Sequence, residues 1–196
     1  NNKETLIKSL DERPTKNWLR RVGEREDEKV LKYFLKENNI NVENNTDVLK
    51  ILWECCQIPD FVKKTYGHHL DVVSKVFNFL TGKDNKIPNY YMKKQLSKLD
   101  KLDGNVDSIS NRISSVRTWS YVSNKSNWVE NQDYWIERTK KLEDKLSDRL
   151  HDELTKTFID KRASVLAKGL KQDIELKTEI IEKQKVLINN QYIGIL

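Results

Sequence analysis

A helical pattern is clearest in residues 105–162, which run NVDSISNRISSVRTWSYVSNKSNWVENQDYWIERTKKLEDKLSDRLHDELTKTFIDKR. Apolar residues in the first part recur every three or four positions, the spacing of one helix face: Val106, Ile109, Ile113 and Val116. In the last part each apolar residue follows the previous one by four: Leu142, Leu146, Leu150, Leu154 and Phe158. That spacing advances the apolar stripe by about 40° per step, so it winds around a long helix and should meet different neighbours. We therefore predict a helix, a loop and a long helix, around which the other segments pack.

The predicted loop between these helices is rich in aromatic and basic residues, and two interpretations of it are open. Large aromatics dominate protein cores by area, and this interpretation is favoured for Trp128 and Trp135. Exposed cations and rings are also what a single-stranded nucleic acid binds. Arg117, Tyr121 and Lys125 are predicted to be exposed and to belong to such a surface.

The charge of the chain is concentrated in its middle. The 196 residues carry a net charge of +6, and 34% of them are charged. Residues 58–128 hold twelve Lys and Arg against six Asp and Glu, whereas the segments on either side are balanced. A basic region interleaved with aromatics is typical of nucleic-acid binding, because phosphates attract cations. A merely solvated, lysine-rich surface is the alternative.

Periodicity predicts a mainly α fold, a multi-helix bundle with a long helix and a small C-terminal antiparallel β-meander. Residues 1–23 are expected to form a strap anchored by Trp18, and residues 24–172 a helical domain. Helices are predicted at about 25–38, 46–57, 69–80 and 88–102, and a short one is considered at 59–61. Asn44 or Asn45 is predicted to cap the second helix, and the buried face of the first is predicted to be Val30, Leu31, Phe34 and Leu35. Apolar residues alternate after Gly169, which predicts strands in residues 173–196. The first residue is not Met, so we expect a piece of a longer protein, with the meander continuing beyond residue 196.

Several kinds of site are not indicated by the sequence. No two glycines have the spacing of the phosphate-binding loop G-x-x-x-x-G-K-[ST], so catalysis by this segment is not expected. The adjacent Cys55 and Cys56 are better explained as reduced core thiols, and His68 and His69 as a surface pair, than as the ligands of a zinc ion. No apolar run approaches the roughly 20 residues of a membrane span, and no membrane partner is predicted. Reduced thiols favour a cytoplasmic location.

Four segments carry a resemblance to a known family. They are RTWSYVSNKSNWVENQDYWIERTKKLEDKLSDRLHDELTKTFIDKR (117–162), LWECCQIPDF (52–61), LDKLDGNVDSISNRIS (99–114) and the ending VLINNQYIGIL. Together they resemble the C-terminal accessory region of an alphaproteobacterial helicase family of superfamily two, related to the RNA helicase of the mitochondrial degradosome. The resemblance covers residues 18–196.

The resemblance implies an accessory domain that packs on the motor domains of the same chain and guides single-stranded RNA or DNA. The motor domains, absent from this segment, would bind ATP and magnesium, and no cofactor is expected here. The resemblance places Lys98, Arg112, Arg117, Tyr121 and Lys125 along the path of the strand. The alternative is a helical protein-interaction module that docks a partner such as a nuclease.

Overall fold

The structure, a computed structural model, describes residues 3–12, 15–16, 18–19, 23–36, 45–171, 178–181, 185–188 and 191–195. Within these residues lie seven helices: α1 (Lys3–Asp11), α2 (Glu26–Lys36), α3 (Thr46–Cys56), α4 (Tyr66–Leu80), α5 (Asn89–Leu99), α6 (Val106–Asn124) and α7 (Gln132–Lys171). Three short strands follow: β1 (Thr178–Ile181), β2 (Lys185–Ile188) and β3 (Gln191–Ile195). The mainly helical class that the sequence predicts is confirmed.

The three strands pair antiparallel in the order β1-β2-β3. Thr178 lies opposite Ile188 in the first pair, and the second pair has an irregularity between Val186 and Leu187. The residues that join the strands to one another and to α7 lie outside the described residues. The predicted meander, with its boundary at residue 173, therefore stays a prediction.

Helices α6 and α7 form the largest helix–helix interface among the described elements. They run antiparallel, so Arg117 of α6 meets Glu143 of α7, with Nε 2.7 Å from Oε1. Near the connection between them, the Gln132 side chain donates to the carbonyls of Ser123 and Lys125, at 3.0 and 3.2 Å. This pair contributes to a single core together with α2, α3, α4 and α5, and α2, α3 and α4 pack on one another in sequence order.

The starts of three helices are fixed by side-chain caps, which satisfy backbone N–H groups that have no partner within the helix. The Asn45 side chain accepts from the N–H groups of Asp47 and Val48, as predicted for the start of α3. Thr65 caps α4 by accepting from His68, and Asn105 caps α6 by accepting from Ser108. The Asn45 cap explains why α3 begins where the sequence predicts.

The predicted aromatic loop is largely helical, so that prediction is wrong. Helix α6 continues to Asn124, and the connection to α7 is residues 125–131. The buried face of α6 continues through the segment assigned to the loop, at spacings of three, as Val116, Trp119 and Val122. This burial outweighs the low helix propensity of a segment rich in Ser and β-branched residues. Trp128 and Trp135 are buried, which confirms the core interpretation for both.

Three further expectations are corrected. Trp18 is 75% exposed and is not part of the described core, whereas α1 of the predicted strap packs against the core through Leu6, Ile7 and Leu10. No helix begins at residues 59–61; the Asp60 carboxylate accepts from the N–H of Lys63, whose φ of 49° belongs to a turn. Of the histidine pair expected on the surface, His68 is exposed but His69 is buried, because it lies on the same face of α4 as Val73.

The far half of α7 extends beyond the bundle. Forty residues make this helix about 60 Å long, about twice the length of α6. Leu142 and Leu146 are buried and Leu150 is half-buried, but Leu154 and Phe158 are each 49% exposed. The apolar stripe does not meet further neighbours among the described residues, because α6, running antiparallel, begins at Val106.

Replacing Leu146 by Ala should lower the free energy of unfolding by about 2–5 kcal/mol, because the side chain is fully buried between α6 and α7. The matched control is Leu154→Ala, the same substitution on the same helix at an exposed position. It should change the free energy of unfolding by less than about 0.5 kcal/mol. Urea unfolding followed by circular dichroism measures both, and equal effects would contradict the described burial.

Candidate nucleic-acid interface

Helix α5 presents an exposed basic face. Its sequence, NYYMKKQLSKL, contains no acidic residue. Met92 and Leu96, four residues apart, face the core, and this places Lys93, Lys94 and Lys98 in solvent. No carboxylate lies within ion-pairing distance of these three lysines among the described residues. Like charges four apart destabilise a helix by a few tenths of a kcal/mol, so this face does not stabilise the fold.

The N-terminal end of α5 is held by the connection between α6 and α7. Ile87, just before the helix, donates to the Trp128 carbonyl at 2.7 Å and forms a parallel bridge with Val129. The Trp135 indole donates to the Asn89 side chain at 2.8 Å. The first turn of α5 is therefore fixed beside the first turn of α7.

The C-terminal end of α5 is held by Asp100, which binds two cations of α7. Lys145 Nζ lies 2.7 Å from one carboxylate oxygen and Arg138 Nη2 lies 2.9 Å from the other. The hydrogen bond from Lys145 and the charges of both cations hold the pKa of Asp100 below its usual value. Next along the chain, Arg149 donates to the Leu102 carbonyl at 3.1 Å. The partners on α7 follow the chain in the same order as the residues of α5 and the turn after it: Trp135 at the N-terminal end, then Arg138 and Lys145, then Arg149. Helix α5 therefore lies parallel to the start of α7.

Two grooves flank α5. The α5–α7 groove, of about 640 Å³, is lined by Asn89, Tyr90, Lys93, Leu96, Ser97, Asp100, Asn131, Tyr134, Trp135 and Arg138. A smaller groove of about 290 Å³ separates α5 from α4 and α6 and includes Lys64, His68 and Lys98. Each groove thus places basic side chains beside α5.

The five residues predicted to contact the strand are placed differently from one another. Lys98 is exposed on α5 and has no partner among the described residues. Arg112 holds the turn before α6, donating to the carbonyls of Lys101, at 2.9 Å, and Asp103. Arg117 is exposed, as predicted, and pairs with Glu143.

The remaining two predicted contacts form an internal pair. Lys125 Nζ lies 5.1 Å from the centre of the Tyr121 ring and 5.8 Å from that of the Trp128 ring. Both Tyr121 and Lys125 are half-buried, so the prediction that they are exposed is wrong. Their cation–π contacts stabilise the end of α6, and of the five residues Lys98 is the one whose cation is fully available.

Sequence reasoning missed the tyrosines and one arginine of the α5–α7 groove. Tyr90 is 68% exposed and Tyr134 is 57% exposed, and Arg138 lies one helical turn after Tyr134. The absence of acidic residues from α5 was visible in the sequence. The placement of Tyr90 and Tyr134 in one groove was not visible, because 44 residues separate them and α5 and α7 meet only through tertiary packing.

The two cysteines are buried at the end of α3. Burial raises the pKa of the Cys56 thiol to about 12, and it raises that of Cys55 as well. Both thiols are therefore protonated at neutral pH, as the core interpretation requires. Among the described residues, no three His, Cys, Asp or Glu side chains are grouped to hold a metal ion. No described helix combines the length and apolar character needed to cross a membrane.

Comparison with protein-family models, with curated proteins and with solved structures finds no match to this chain.

Burial of His69 predicts a loss of stability in mild acid. Desolvation lowers the pKa of His69 below its ordinary 6.5, although the charges of Asp60 and Glu26 act in the opposite direction. As the pH falls through 6.5, this histidine binds a proton in the unfolded chain before it does so in the folded protein, so unfolding becomes easier. The melting temperature should fall between about pH 7.5 and pH 5.5, and this fall should be smaller in His69→Gln. The exposed His68→Gln is the matched control, and an equal change in both variants would contradict this assignment.

Proposed function

We propose that this segment is the C-terminal accessory region of a cytoplasmic ATP-dependent RNA helicase. It packs on the motor domains of the same chain and guides single-stranded nucleic acid. The family resemblance of the four segments supports the helicase assignment, and the predicted C-terminal meander belongs to the same region. The observation that carries the nucleic-acid function is the acid-free face of α5, with Lys93, Lys94 and Lys98 exposed and without ion-pair partners among the described residues.

Phosphate binding is the chemistry that this face supports. Lysines bind phosphates as point charges, and the counterions released from the nucleic acid favour association. Lys94 and Lys98 lie one helical turn apart, about 6 Å along the axis, so they offer cations to successive positions along a strand. Asp100, the carboxylate that lines the α5–α7 groove, is paired with Lys145 and Arg138, so its charge is compensated.

A single strand fits this surface better than a duplex does. The tyrosines beside α5 offer flat apolar rings, which stack on unpaired bases but cannot reach bases inside a double helix. The segment itself contains no phosphate-binding loop. In the proposal, ATP and magnesium therefore belong to the motor domains, and this domain contributes to holding the strand.

Replacing Lys93, Lys94 and Lys98 together by Ala should weaken binding to a labelled single strand. The loss of three phosphate contacts should also reduce the slope of log affinity against log salt by about 2. Fluorescence anisotropy titrations at several salt concentrations measure both quantities. The matched control removes three exposed lysines from other helices, Lys50, Lys141 and Lys156, and so changes the net charge equally.

The comparison between these two triple variants decides the proposal. If binding depends on the α5 face, the control keeps an affinity and a salt slope close to those of the parent. If the two variants weaken binding equally, the attraction is a property of net charge and not of α5. If the parent binds no strand at low salt, the nucleic-acid function is wrong.

A second candidate function, docking of a protein, is favoured by the far half of α7. Leu154, Phe158 and Ile159 are exposed there, on the part of the helix that extends beyond the bundle. The motor domains or a nuclease partner would cover them. Replacing Phe158 and Ile159 by Lys should abolish binding to separately produced motor domains in calorimetric titrations, while single-strand binding is retained. Loss of strand binding instead would assign this half of α7 to the nucleic acid.

A further inference from the structure

The α5–α7 groove is bordered by two tyrosines that the core does not use. Tyr90 extends from the first turn of α5 and Tyr134 from the first turn of α7, and both line this groove. More than half of each side chain is exposed. Exposed rings contribute little to stability, because an aromatic side chain stabilises a fold mainly through the area that it buries.

Tyr134 is nevertheless held in a defined place. Its ring packs edge-on against the Trp135 ring, with the centres 4.8 Å apart and the planes at 77°. Trp135 is buried, and its indole donates to the Asn89 side chain. The groove therefore rests on a fixed base that is shared by α5 and α7, so a ligand would meet a surface that is already formed.

The groove also offers polar groups of the kind that bind a base and its phosphate. Asn131 lies at the end of the connection before α7 and adopts the left-handed conformation, with φ 51°. Its side-chain amide makes no hydrogen bond within the described part of the chain. An amide supplies both donors and an acceptor to the edge of a base. Lys93 supplies a cation that no described carboxylate pairs with, and Arg138 remains about half exposed although it binds Asp100.

We propose that the α5–α7 groove holds an unpaired base of the strand, with Tyr90 and Tyr134 against its rings, the Asn131 amide at its edge and Lys93 on a neighbouring phosphate. This assignment rests on the proposed single-strand function and adds a base-binding site to it. Stacking tolerates any base, because every base has an aromatic face. The groove thus fixes the position of the strand on α5 with little dependence on sequence.

The test compares an oligothymidine with a fully abasic strand of the same length. The parent should bind the strand with bases about ten-fold or more tightly than the abasic strand, since stacking of one base contributes a factor of this order. The double variant Tyr90→Ala and Tyr134→Ala should lose this preference and retain the salt slope, because no cation has been removed. Tyr90→Phe with Tyr134→Phe keeps both rings and should bind like the parent.

Tyr66→Ala is the matched control, since this tyrosine is exposed on α4 and does not line the groove. It should retain the preference for bases, and thermal melts of every variant establish that each is folded. A double alanine variant that binds both strands like the parent overturns the base site and leaves the lysine face of α5 intact. Equal binding of the two strands by the parent protein would likewise overturn the base site and leave the lysine face of α5 intact. A parent that binds neither strand overturns the proposed function together with this inference.

Discussion

The packing of α6 against α7 is the constraint on which the rest of the structure depends. Both helices contribute large buried side chains, among them Trp119, Trp135 and Leu146. Their connection, residues 125–131, also holds the strand-like segment at Ile87 through two backbone hydrogen bonds. The position of α5 follows from this pair, because the helix begins two residues after Ile87 and ends at an aspartate bound by α7.

Fixing α5 at both ends allows its outer face to carry charges that do not stabilise the fold. A helix whose three lysines have no ion-pair partner in the described part of the chain gains little from local electrostatics, and its stability must come from burial of Met92 and Leu96 and from its contacts with α7. The pairing of Asp100 with Lys145 and Arg138 stabilises the helix end and also compensates the carboxylate that lines the α5–α7 groove. The same ion pairs therefore serve both the fold and the proposed site.

The features that sequence predicted correctly depend on neighbouring residues. The cap at Asn45, the buried face of α2 and the core positions of Trp128 and Trp135 all follow from spacing or local chemistry. The predictions that were wrong concern features that depend on contacts between residues far apart in the sequence. The end of α6 was placed too early because its aromatic and basic residues were assigned to a loop, while the burial of Val122 was not visible. Likewise, the partners of Arg117 and Arg112 depend on α7 and on the turn at Gly104, whose φ of 116° requires glycine.

The two halves of α7 have different environments, and this difference follows from the spacing of its apolar residues. A stripe with a spacing of four turns by about 40° per step, so over four steps it rotates by nearly half a turn. Helix α6, which begins at Val106, therefore covers only its first members, Leu142 and Leu146, before the stripe passes Leu150 and reaches solvent at Leu154. A helix that served only the bundle would gain nothing from further apolar residues. Their continuation to Phe158 and Ile159 favours a second partner for this half of the helix. That partner would be separate from the α5 face, which lies beside the other end of α7. One helix would then join a strand-binding surface to a protein-binding surface.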